Sequence, residues 1–463
     1  MTERITFDLD LIKRYDKSGP RYTSYPTAPQ MQSSLGEAEY RQVALQTNGG
    51  ASPRPLSLYF HLPFCNTVCY YCGCNKIVTK DRSRARPYLD RLEKEITLQG
   101  ELYDRSRPVT QLHWGGGTPT FISHDEMEQL MQQTARHFSL LPDDEGEYSI
   151  ELDPREVKPG TLQLLRKLGF NRMSMGVQDF DPQVQKAVNR IQPESDTLAV
   201  LHEARQLGFR SINMDLIYGL PFQSVESFTR TLDKIIEAEP DRLSVFNYAH
   251  LPEMFKPQRR INEADLPAPS AKLEILQMVI EKLTESGYQY IGMDHFAKPE
   301  DELAIAQKNG TLYRNFQGYS THADCDLVGM GITAISMVGS SYWQNAKTEN
   351  EYNERLDNGR LPVFRGLLMS EDDRIRRAVI MELICHFRLD FKQIEDRFRI
   401  RFSDYFADEL AGLASMQADG LLELDEAGLR ITGRGVLLIR NICMLFDAYI
   451  GKQRQQSQYS KVI

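Results

Sequence analysis

The chain has 463 residues, of which 41% are hydrophobic and 26% charged, proportions typical of globular proteins and not of disordered or fibrous chains. Its formal net charge of -9 disfavours general adhesion to nucleic acid or to anionic membranes, so an anionic ligand requires a local basic pocket. The sequence lacks an apolar run of the roughly 18 residues needed to span a bilayer, and its charged first segment does not resemble a signal peptide, so we expect a cytoplasmic protein.

The predicted elements begin after an N-terminal arm and linker, residues 1–54, which show no sustained hydrophobic periodicity. Residues 55–369 alternate short apolar runs with amphipathic stretches, as strand–helix repeats around a parallel sheet do. Candidate strands are 56–61, 110–114, 148–152, 172–177, 212–217 and 243–248, with 289–293 as a further one. Candidate helices are 87–98, 125–138, 161–168, 195–207, 224–238 and 271–285. Six repeats predict an α/β fold, an incomplete parallel (βα)6-type barrel, whose functional residues lie on loops at the carboxyl ends of the strands.

The remaining stretches are less regular. Residues 327–339 are flanked by glycine and are either a loop or a final strand that returns to the barrel. Residues 370–463 form a further predicted domain, with helical patterns at 374–387, 391–398 and 404–418 and a hairpin that turns at 425–428. This order predicts a mostly helical, winged-helix-like domain. Because that segment has no basic face, we favour a packing or lid role over DNA binding.

Cysteine usage points to chemistry. Four of the seven cysteines lie within ten residues: Cys65, Cys69, Cys72 and Cys74. The odd total and the expected cytoplasmic location argue against disulfides, so this group predicts metal binding or catalysis. Thiolates at this spacing can bind zinc or an iron–sulfur cluster, and the scattered Cys325, Cys385 and Cys443 offer no second pair for zinc. A cluster of four irons held by three thiolates would leave one iron open for a ligand from outside the protein.

The motif Cys65-x3-Cys69-x2-Cys72, which follows the first strand and has Tyr71 directly before the third cysteine, resembles that of the radical S-adenosylmethionine (SAM) enzymes. The whole chain is similar to the branch of that superfamily that acts on coproporphyrinogen III without oxygen. The similar stretches are SGPRYTSYPTA, HLPFCNTVCYYCGCNKIVT, QLHWGGGTPT, SIELDPRE, RMSMGVQDF, NMDLIYGLP, RLSVFNYAHLP, GMDHFA and LLIRNICM. Their spread over nearly the whole chain makes the resemblance far more specific than three cysteines alone.

This resemblance implies a 4Fe-4S cluster on Cys65, Cys69 and Cys72, with SAM on the open iron. Reductive cleavage of SAM would give a 5'-deoxyadenosyl radical that takes hydrogen from a propionate side chain, which then loses carbon dioxide and an electron and becomes a vinyl group. Two such steps would give protoporphyrinogen IX in haem biosynthesis. Cys74 would stay off the cluster. The alternative is an electron-transfer cluster with all four cysteines as ligands.

The resemblance also implies two SAM molecules, one on the cluster and one beside it. The SAM-binding positions that carry over are Tyr59, Tyr71, Gly116, Gly117, Thr118, Glu151, Gln178, Arg190, Asp215, Ala249 and Ile335. Glycines let backbone amides approach a ligand, and the carboxylates of Glu151 and Asp215 suit ribose or ammonium groups. The alternative for each polar position is a rim residue satisfied by neighbouring backbone, and for Ile335 a packed core residue.

The implied tetrapyrrole carries four carboxylates, which a chain of net negative charge must offset locally. Arg21 is the natural candidate because guanidinium groups bind carboxylates bidentately, and Tyr22 could flank a pyrrole face. The arm could equally pack over the barrel. Lys76 and Arg155 are further candidate anion contacts that could instead be solvated charges.

We expect an electron donor such as a flavodoxin-type reductant, no nucleic-acid or membrane partner, and a monomer, although the residues fix neither the donor nor the oligomeric state. The alternative function is a haem-binding chaperone of the same fold. Such chaperones lack the Cys-Gly-Cys sequence found here at Cys72 to Cys74, and they lack the long N-terminal arm. The histidines at strand ends (His61, His113, His250 and His295) have no helical spacing suited to a metal, and we favour ordinary hydrogen-bonded roles for them.

Overall fold

The structure is a computed structural model that describes residues 4–50, 52–142 and 144–450. The chain forms two compact units. The first, which we call the sheet unit, comprises Met31–Ile275 and Asp324–Leu368. The second, the terminal unit, comprises Met1–Gln30, Leu276–Ala323 and Met369–Ile463. Neither unit is one continuous segment, and the boundaries predicted at 54/55 and 369/370 stay predictions.

Six consecutive parallel strands form the centre of the sheet unit within the described residues. They are β1 (Leu56–Leu62), β2 (Pro108–Gly116), β3 (Glu147–Leu152), β4 (Arg172–Gln178), β5 (Ser211–Tyr218) and β6 (Arg242–Asn247). They neighbour one another in chain order, and their carboxyl ends therefore meet at one edge of the sheet. This confirms all six predicted barrel strands and the α/β fold class.

Helices connect these strands, as the amphipathic pattern predicts. They are Ala85–Gly100, His124–His137, Thr161–Lys167, Pro182–Ala187, Glu194–Gln206, Val225–Ala238 and Pro269–Glu285. Two of them begin at a reciprocal capping box, in which Ser123 pairs with Glu126 and Ser224 with Ser227. Local sequence thus fixes where these helices start, and their apolar faces then pack on the sheet.

On the other side of β1 the sheet continues with one more parallel strand and then becomes antiparallel. Strand β7 (Asp326–Met330) runs parallel to β1, and β8 (Ile335–Val338), β9 (Ser341–Asn345) and β10 (Val363–Leu368) follow as an antiparallel series. Of the two interpretations of residues 327–339, the returning strand is therefore right. Residues 1–54, which show no sustained hydrophobic periodicity in the sequence, contain two short helices, Leu9–Tyr15 and Glu37–Gln46.

The terminal unit is mostly helical, as predicted. Its helices are Leu9–Tyr15, Glu302–Asn309, Glu371–His386, Phe391–Phe398, Phe402–Tyr405, Ala407–Ala418 and Ile439–Leu445. The predicted hairpin is confirmed, since Leu422–Leu424 pairs antiparallel with Gly428–Ile431, which also pairs with Arg388–Asp390. The further candidate strand at 289–293 is confirmed as Gln289–Gly292, in a hairpin with His295–Ala297. A second hairpin joins Tyr313–Asn315 to Gly318–Ser320. The winged-helix comparison stays a prediction.

Over the described ranges, the chain contains no helix with both the length and the apolar character needed to cross a bilayer.

Candidate cluster and cofactor site

The loop after β1 carries the four neighbouring cysteines, all as free thiols. A short parallel pairing of Phe64–Cys65 with Ile77–Val78 ties the two ends of this loop together. Cys65 is held in it by its carbonyl, which accepts a hydrogen bond from the Thr79 amide at 2.9 Å. The three motif cysteines are half-buried, whereas Cys74 is exposed. The motif therefore lies on a closed loop at the carboxyl edge of the sheet.

Hydrogen-bond donors from other strands approach two of the sulfurs. The Thr118 hydroxyl donates to Cys65 Sγ at 3.8 Å. Cys69 Sγ accepts from Arg155 Nη2 at 3.7 Å and from Arg190 Nη1 at 3.6 Å. Both guanidinium groups also bind Asp153 Oδ2, at 2.6 and 3.1 Å, so their positions are fixed. Because positive charge and hydrogen bonds to sulfur stabilise thiolate ligands, this donor set fits an iron–sulfur cluster.

Cys72 and Cys74 share one negative charge. A hydrogen bond from the Cys74 thiol, aided by the charge of Lys76, lowers the pKa of Cys72 to about 5. The same hydrogen bond and the charge of Cys72 raise the pKa of Cys74 well above its ordinary value. Lys76 Nζ also donates to the Cys72 carbonyl at 3.0 Å, and its role as an anion contact stays a prediction. The thiolate of the pair therefore lies on Cys72.

The glycine run after β2 packs directly against the cysteine loop. The Gly117 amide donates to the Leu62 carbonyl at 2.8 Å, and the Thr118 amide to the Phe64 carbonyl at 2.7 Å. A Cβ on Gly117 would lie 2.6 Å from the Phe64 oxygen, and Gly116 has a φ of +111°. Only glycine fits both positions without displacing the cysteine loop.

Glu151, on β3, closes the other side of the glycine run. Its Oε2 accepts from the Gly116 amide at 3.0 Å, and its Oε1 lies 3.4 Å from His113 Nε2. Burial alone would raise the pKa of Glu151, but these two partners outweigh it and the pKa falls below its ordinary value. Tyr59 stacks on His113 with ring centroids 5.8 Å apart and hydrogen-bonds His61 Nδ1 at 3.0 Å. His61 and His113 thus have the hydrogen-bonded roles that we favoured.

Asp215, on β5, is held by side chains of its own and the adjoining strand. Ser174 Oγ donates to its Oδ2, and Asn213 Nδ2 donates to its Oδ1, each at 2.8 Å. Burial raises the pKa of Asp215 to about 6, and the negative charge of Glu151 adds to this rise. The two carboxylates therefore lie near enough to influence each other's protonation.

The other predicted SAM positions lie in the same unit, at strand ends and in loops. Gln178 has a φ of +70° at a bulge where β4 pairs with β5. Arg190 Nη2 donates to the Gly176 carbonyl at 2.5 Å. Tyr71 packs against a buried apolar cluster that includes Tyr248, and Ala249 follows β6. Ile335 begins β8, where it is half-buried and pairs with Gln344. The structure thus gathers all these positions in the sheet unit, while their role in SAM binding stays a prediction.

Sequence reasoning identified Arg155 only as a possible anion contact and missed its contact with the Cys69 sulfur. The available signal was the position of Asp-Pro-Arg directly after a strand. The two candidate substrate contacts lie in the terminal unit, where Arg21 forms an ion pair with Asp294 at 2.5 Å. Tyr22 is 1% exposed and donates to Asp447 Oδ2 at 3.0 Å. Their roles in substrate binding stay predictions.

Known proteins match the chain over its full length. Residues 59–235 match the family described as Radical SAM superfamily, and residues 369–438 match the HemN C-terminal domain. The chain is 56% identical to the oxygen-independent coproporphyrinogen III oxidase of Pseudomonas aeruginosa, over 100% of both chains. It is 52% identical to the protein of the same name from Escherichia coli, over 100% of this chain and 99% of that one. A solved structure of coproporphyrinogen III oxidase (HemN) from Escherichia coli, described as a radical SAM enzyme, superimposes with a TM-score of 0.91 at 52% identity, covering 96% of this chain and 100% of that one.

Proposed function

The chain belongs to the radical SAM superfamily and, within it, to the oxygen-independent coproporphyrinogen III oxidases, and we propose how its own residues serve that reaction. The reaction is the oxidative decarboxylation of two propionate side chains of coproporphyrinogen III to vinyl groups, which gives protoporphyrinogen IX. The cofactors of this family are a 4Fe-4S cluster and SAM. When bound, they supply the electron and the carbon radical that removes hydrogen from the substrate.

Cys65, Cys69 and Cys72 would hold the cluster in this proposal. The observation that carries the assignment is the convergence of Arg155 and Arg190 on the Cys69 sulfur, at 3.7 and 3.6 Å. Hydrogen bonds from two guanidinium groups to one sulfur are expected where that sulfur carries negative charge in a metal site. Cys74 is exposed, shares its hydrogen bond with Cys72 and stays off the cluster.

The glycine run and the strand-end carboxylates would hold SAM. The Gly117 amide donates to the Leu62 carbonyl at the end of β1, and the Thr118 amide donates to the Phe64 carbonyl at the start of the cysteine loop, which keeps the glycine run beside the cluster ligands. Glu151 and Asp215 supply negative charge for the ammonium or ribose groups of SAM. The proposed contacts with two SAM molecules are completed by Gln178, Arg190, Ala249 and Ile335.

Equilibrium dialysis of reconstituted protein with labelled SAM measures the number of SAM molecules bound. We expect two equivalents per chain, and one equivalent would contradict the proposal.

The implied partners are a tetrapyrrole substrate and a reductant. For the reductant we propose a flavodoxin-type protein, and for the enzyme a monomer. Sedimentation velocity under air-free conditions should give a single species near 53.2 kDa, and a stable dimer would contradict the monomer.

An air-free assay of reconstituted protein with SAM, a reductant and coproporphyrinogen III tests the function. We expect vinyl product and 5'-deoxyadenosine to form together. Cys72→Ser should lose iron and activity, while the matched Cys74→Ser variant should retain both. Product without deoxyadenosine, or iron loss in Cys74→Ser, would overturn the proposed mechanism or ligand set. Stoichiometric haem binding without SAM and no turnover would favour the chaperone alternative.

A further inference from the structure

The terminal unit contains two buried arginines, Arg314 and Arg440, that the assignments above leave without a role. Arg314 lies on the hairpin strand Tyr313–Asn315, and Arg440 lies in the helix Ile439–Leu445. With Arg21 of the N-terminal arm they form what we call the arginine cluster. Its members come from three distant parts of the chain, and the charges of Arg21 and Arg314 both act on Arg440 in the folded protein.

Arg314 is the most unusual member. Its side chain is buried, with the residue 4% exposed, yet Nε and Nη1 have no hydrogen-bond acceptor among the residues that the structure describes. A guanidinium keeps its charge at any ordinary pH and cannot remove the cost of burial by losing a proton. Buried N–H groups without acceptors are costly, and more so when they carry charge. The missing acceptor therefore points to a ligand from outside the chain.

The surroundings of Arg314 hold it in place without satisfying it. Its guanidinium lies over the ring of its cross-strand partner Tyr319, 4.7 Å from the centroid. The Tyr319 hydroxyl donates to the Ile384 carbonyl at 3.1 Å, and the His295 ring packs edge-on against Tyr319 at 5.3 Å. A ring face attracts the cation from above but accepts no in-plane N–H bond. The ring thus holds the guanidinium in place and leaves its Nε and Nη1 hydrogens without an acceptor.

The charges around Arg314 favour an anion. Arg21 pairs with Asp294, and Arg440 donates to the backbone carbonyls of Gly19 and Pro20, which carry no net charge. Burial, followed by the positive charge of Arg21, lowers the pKa of Arg440 to about 10, and the charge of Arg314 acts in the same direction. The positive charges of Arg21 and Arg314 thus both act on Arg440, and a negatively charged ligand at Arg314 would offset part of that charge.

We infer that the arginine cluster is a carboxylate-binding subsite, with Arg314 as the principal donor, and that it takes a propionate carboxylate of the tetrapyrrole. The assignment of the tetrapyrrole rests on the proposed function, whereas the carboxylate chemistry rests on the buried guanidinium alone. A carboxylate is the expected partner because its two oxygens match the planar N–H groups of arginine.

The test measures binding to full-length, cluster-reconstituted protein without turnover. The probes are coproporphyrin III, which carries four carboxylates, and its tetramethyl ester, which carries none. We expect the wild-type protein to bind the free acid more tightly than the ester. Arg314→Met, which keeps an apolar stem, should weaken binding of the free acid about tenfold or more and leave the ester unchanged. The affinity of Arg314→Lys for the free acid should lie between those of the wild-type protein and Arg314→Met, because lysine keeps the charge but loses the planar geometry.

Arg374→Met is the matched control, since Arg374 is exposed on the same unit and should have no effect. Iron content and SAM affinity check that each variant is intact. Equal binding of acid and ester by the wild-type protein needs no variant and would overturn the proposal. Tight binding of free propionate that depends on Arg314, without binding of coproporphyrin III, would also overturn it. If Arg314→Met lost coproporphyrin III binding while the wild-type protein bound it but formed no vinyl product in the air-free assay, the subsite would be supported and the proposed function refuted. The two failures are therefore distinguishable.

Discussion

Arg155 joins the carboxylate of Asp153 to the sulfur of Cys69. It donates to Asp153 Oδ2 at 2.6 Å and to Cys69 Sγ at 3.7 Å. The sulfur contact places a positive charge beside the proposed cluster, and hydrogen bonds to cluster sulfurs stabilise the reduced, more negative state. Arg190 makes the same kind of contact, so Cys69 has two donors and the loss of one should leave the cluster assembled.

We predict that Arg155→Met lowers the midpoint potential of the reconstituted cluster by about 65 to 130 mV, the one-electron equivalent of the roughly 1.5–3 kcal/mol of one hydrogen bond to a charged group. Potentiometric titration followed by electron paramagnetic resonance measures this shift. Arg166→Met is the matched control, because Arg166 binds Asp144 in the same unit and contacts no cysteine. An unchanged or raised potential in Arg155→Met, with full iron content, would show that the sulfur contact has no electronic role.

The cysteine loop could be located from sequence because its three ligands are close neighbours in the chain. The donors to Cys69 could not, since Arg155 and Arg190 lie 86 and 121 positions away and meet it only after the sheet forms. The sequence placed Arg155 directly after a strand, which indicates the correct edge of the sheet, whereas Arg190 follows the helix Pro182–Ala187. It contains no signal for which sulfur an arginine side chain contacts.

A buried carboxyl group on the helix Ala85–Gly100 helps join that helix to the part of the sheet unit that follows β7. Glu95 accepts hydrogen bonds from the Gly331 amide, Asn345 Nδ2 and the Tyr352 hydroxyl, at 2.8, 2.7 and 2.6 Å. Burial nevertheless outweighs these donors and raises the pKa of Glu95 from 4.5 to about 7. The folded protein therefore holds this proton more tightly than the unfolded chain does.

This difference makes stability depend on pH. The contribution of Glu95 is fully present below its unfolded pKa of 4.5 and is lost as the pH rises through its folded pKa of about 7. The loss amounts to about 3 kcal/mol at most across that interval. We predict that Glu95→Gln removes this part of the pH dependence while lowering stability overall, because its amide would face the Asn345 donor.

Denaturant titrations at several pH values, followed by tryptophan fluorescence, measure this effect, since Trp114 and Trp343 both lie in strands of the sheet unit. Glu93→Gln serves for comparison, because Glu93 lies on the same helix but pairs with Arg86. A Glu95→Gln protein whose stability falls with pH as steeply as that of the wild-type protein would refute the assigned pKa.

The parallel strands and their helices could be predicted because each carries its own periodicity and caps. The antiparallel strands could not be predicted in the same way. All five residues of β9 are buried, so no alternation marks it as a strand, and the run includes Ser341, Gln344 and Asn345. These polar side chains find buried partners only in the folded sheet, for example Asn345 on Glu95. The stretch therefore reads from sequence as an ordinary polar loop.

At the scale of the whole molecule, the described part of the N-terminal arm packs with helices more than 400 positions later in the chain. The N-terminal arm contacts the last described helices of the same unit through several polar contacts. Arg14 and the Tyr15 hydroxyl bind Asp419 at 2.6 and 2.7 Å, and Asn441 donates to the Tyr15 carbonyl at 2.8 Å. The sequence could not indicate this, because the partners lie more than 400 positions apart. The arm is thus part of the core of the terminal unit, whatever else it does for the substrate.

Tyr22 and Tyr25 show how deeply the arm is built in, with 1% and 0% of their surfaces exposed. We predict that Tyr22→Ala costs about 4 kcal/mol of local stability through the cavity it leaves, whereas Tyr22→Phe costs about 1 kcal/mol through the lost hydrogen bond to Asp447. Amide hydrogen exchange of Ile439–Leu445 in the full-length protein measures both. Leu9→Ala, in the same arm but 38% exposed, should change little and serves as the control.

If Tyr22→Ala left the exchange of Ile439–Leu445 unchanged while abolishing turnover, the arm would act on the substrate and not on the fold. If exchange and turnover failed together while Tyr22→Phe kept both, activity would depend on the arm through the stability of this unit.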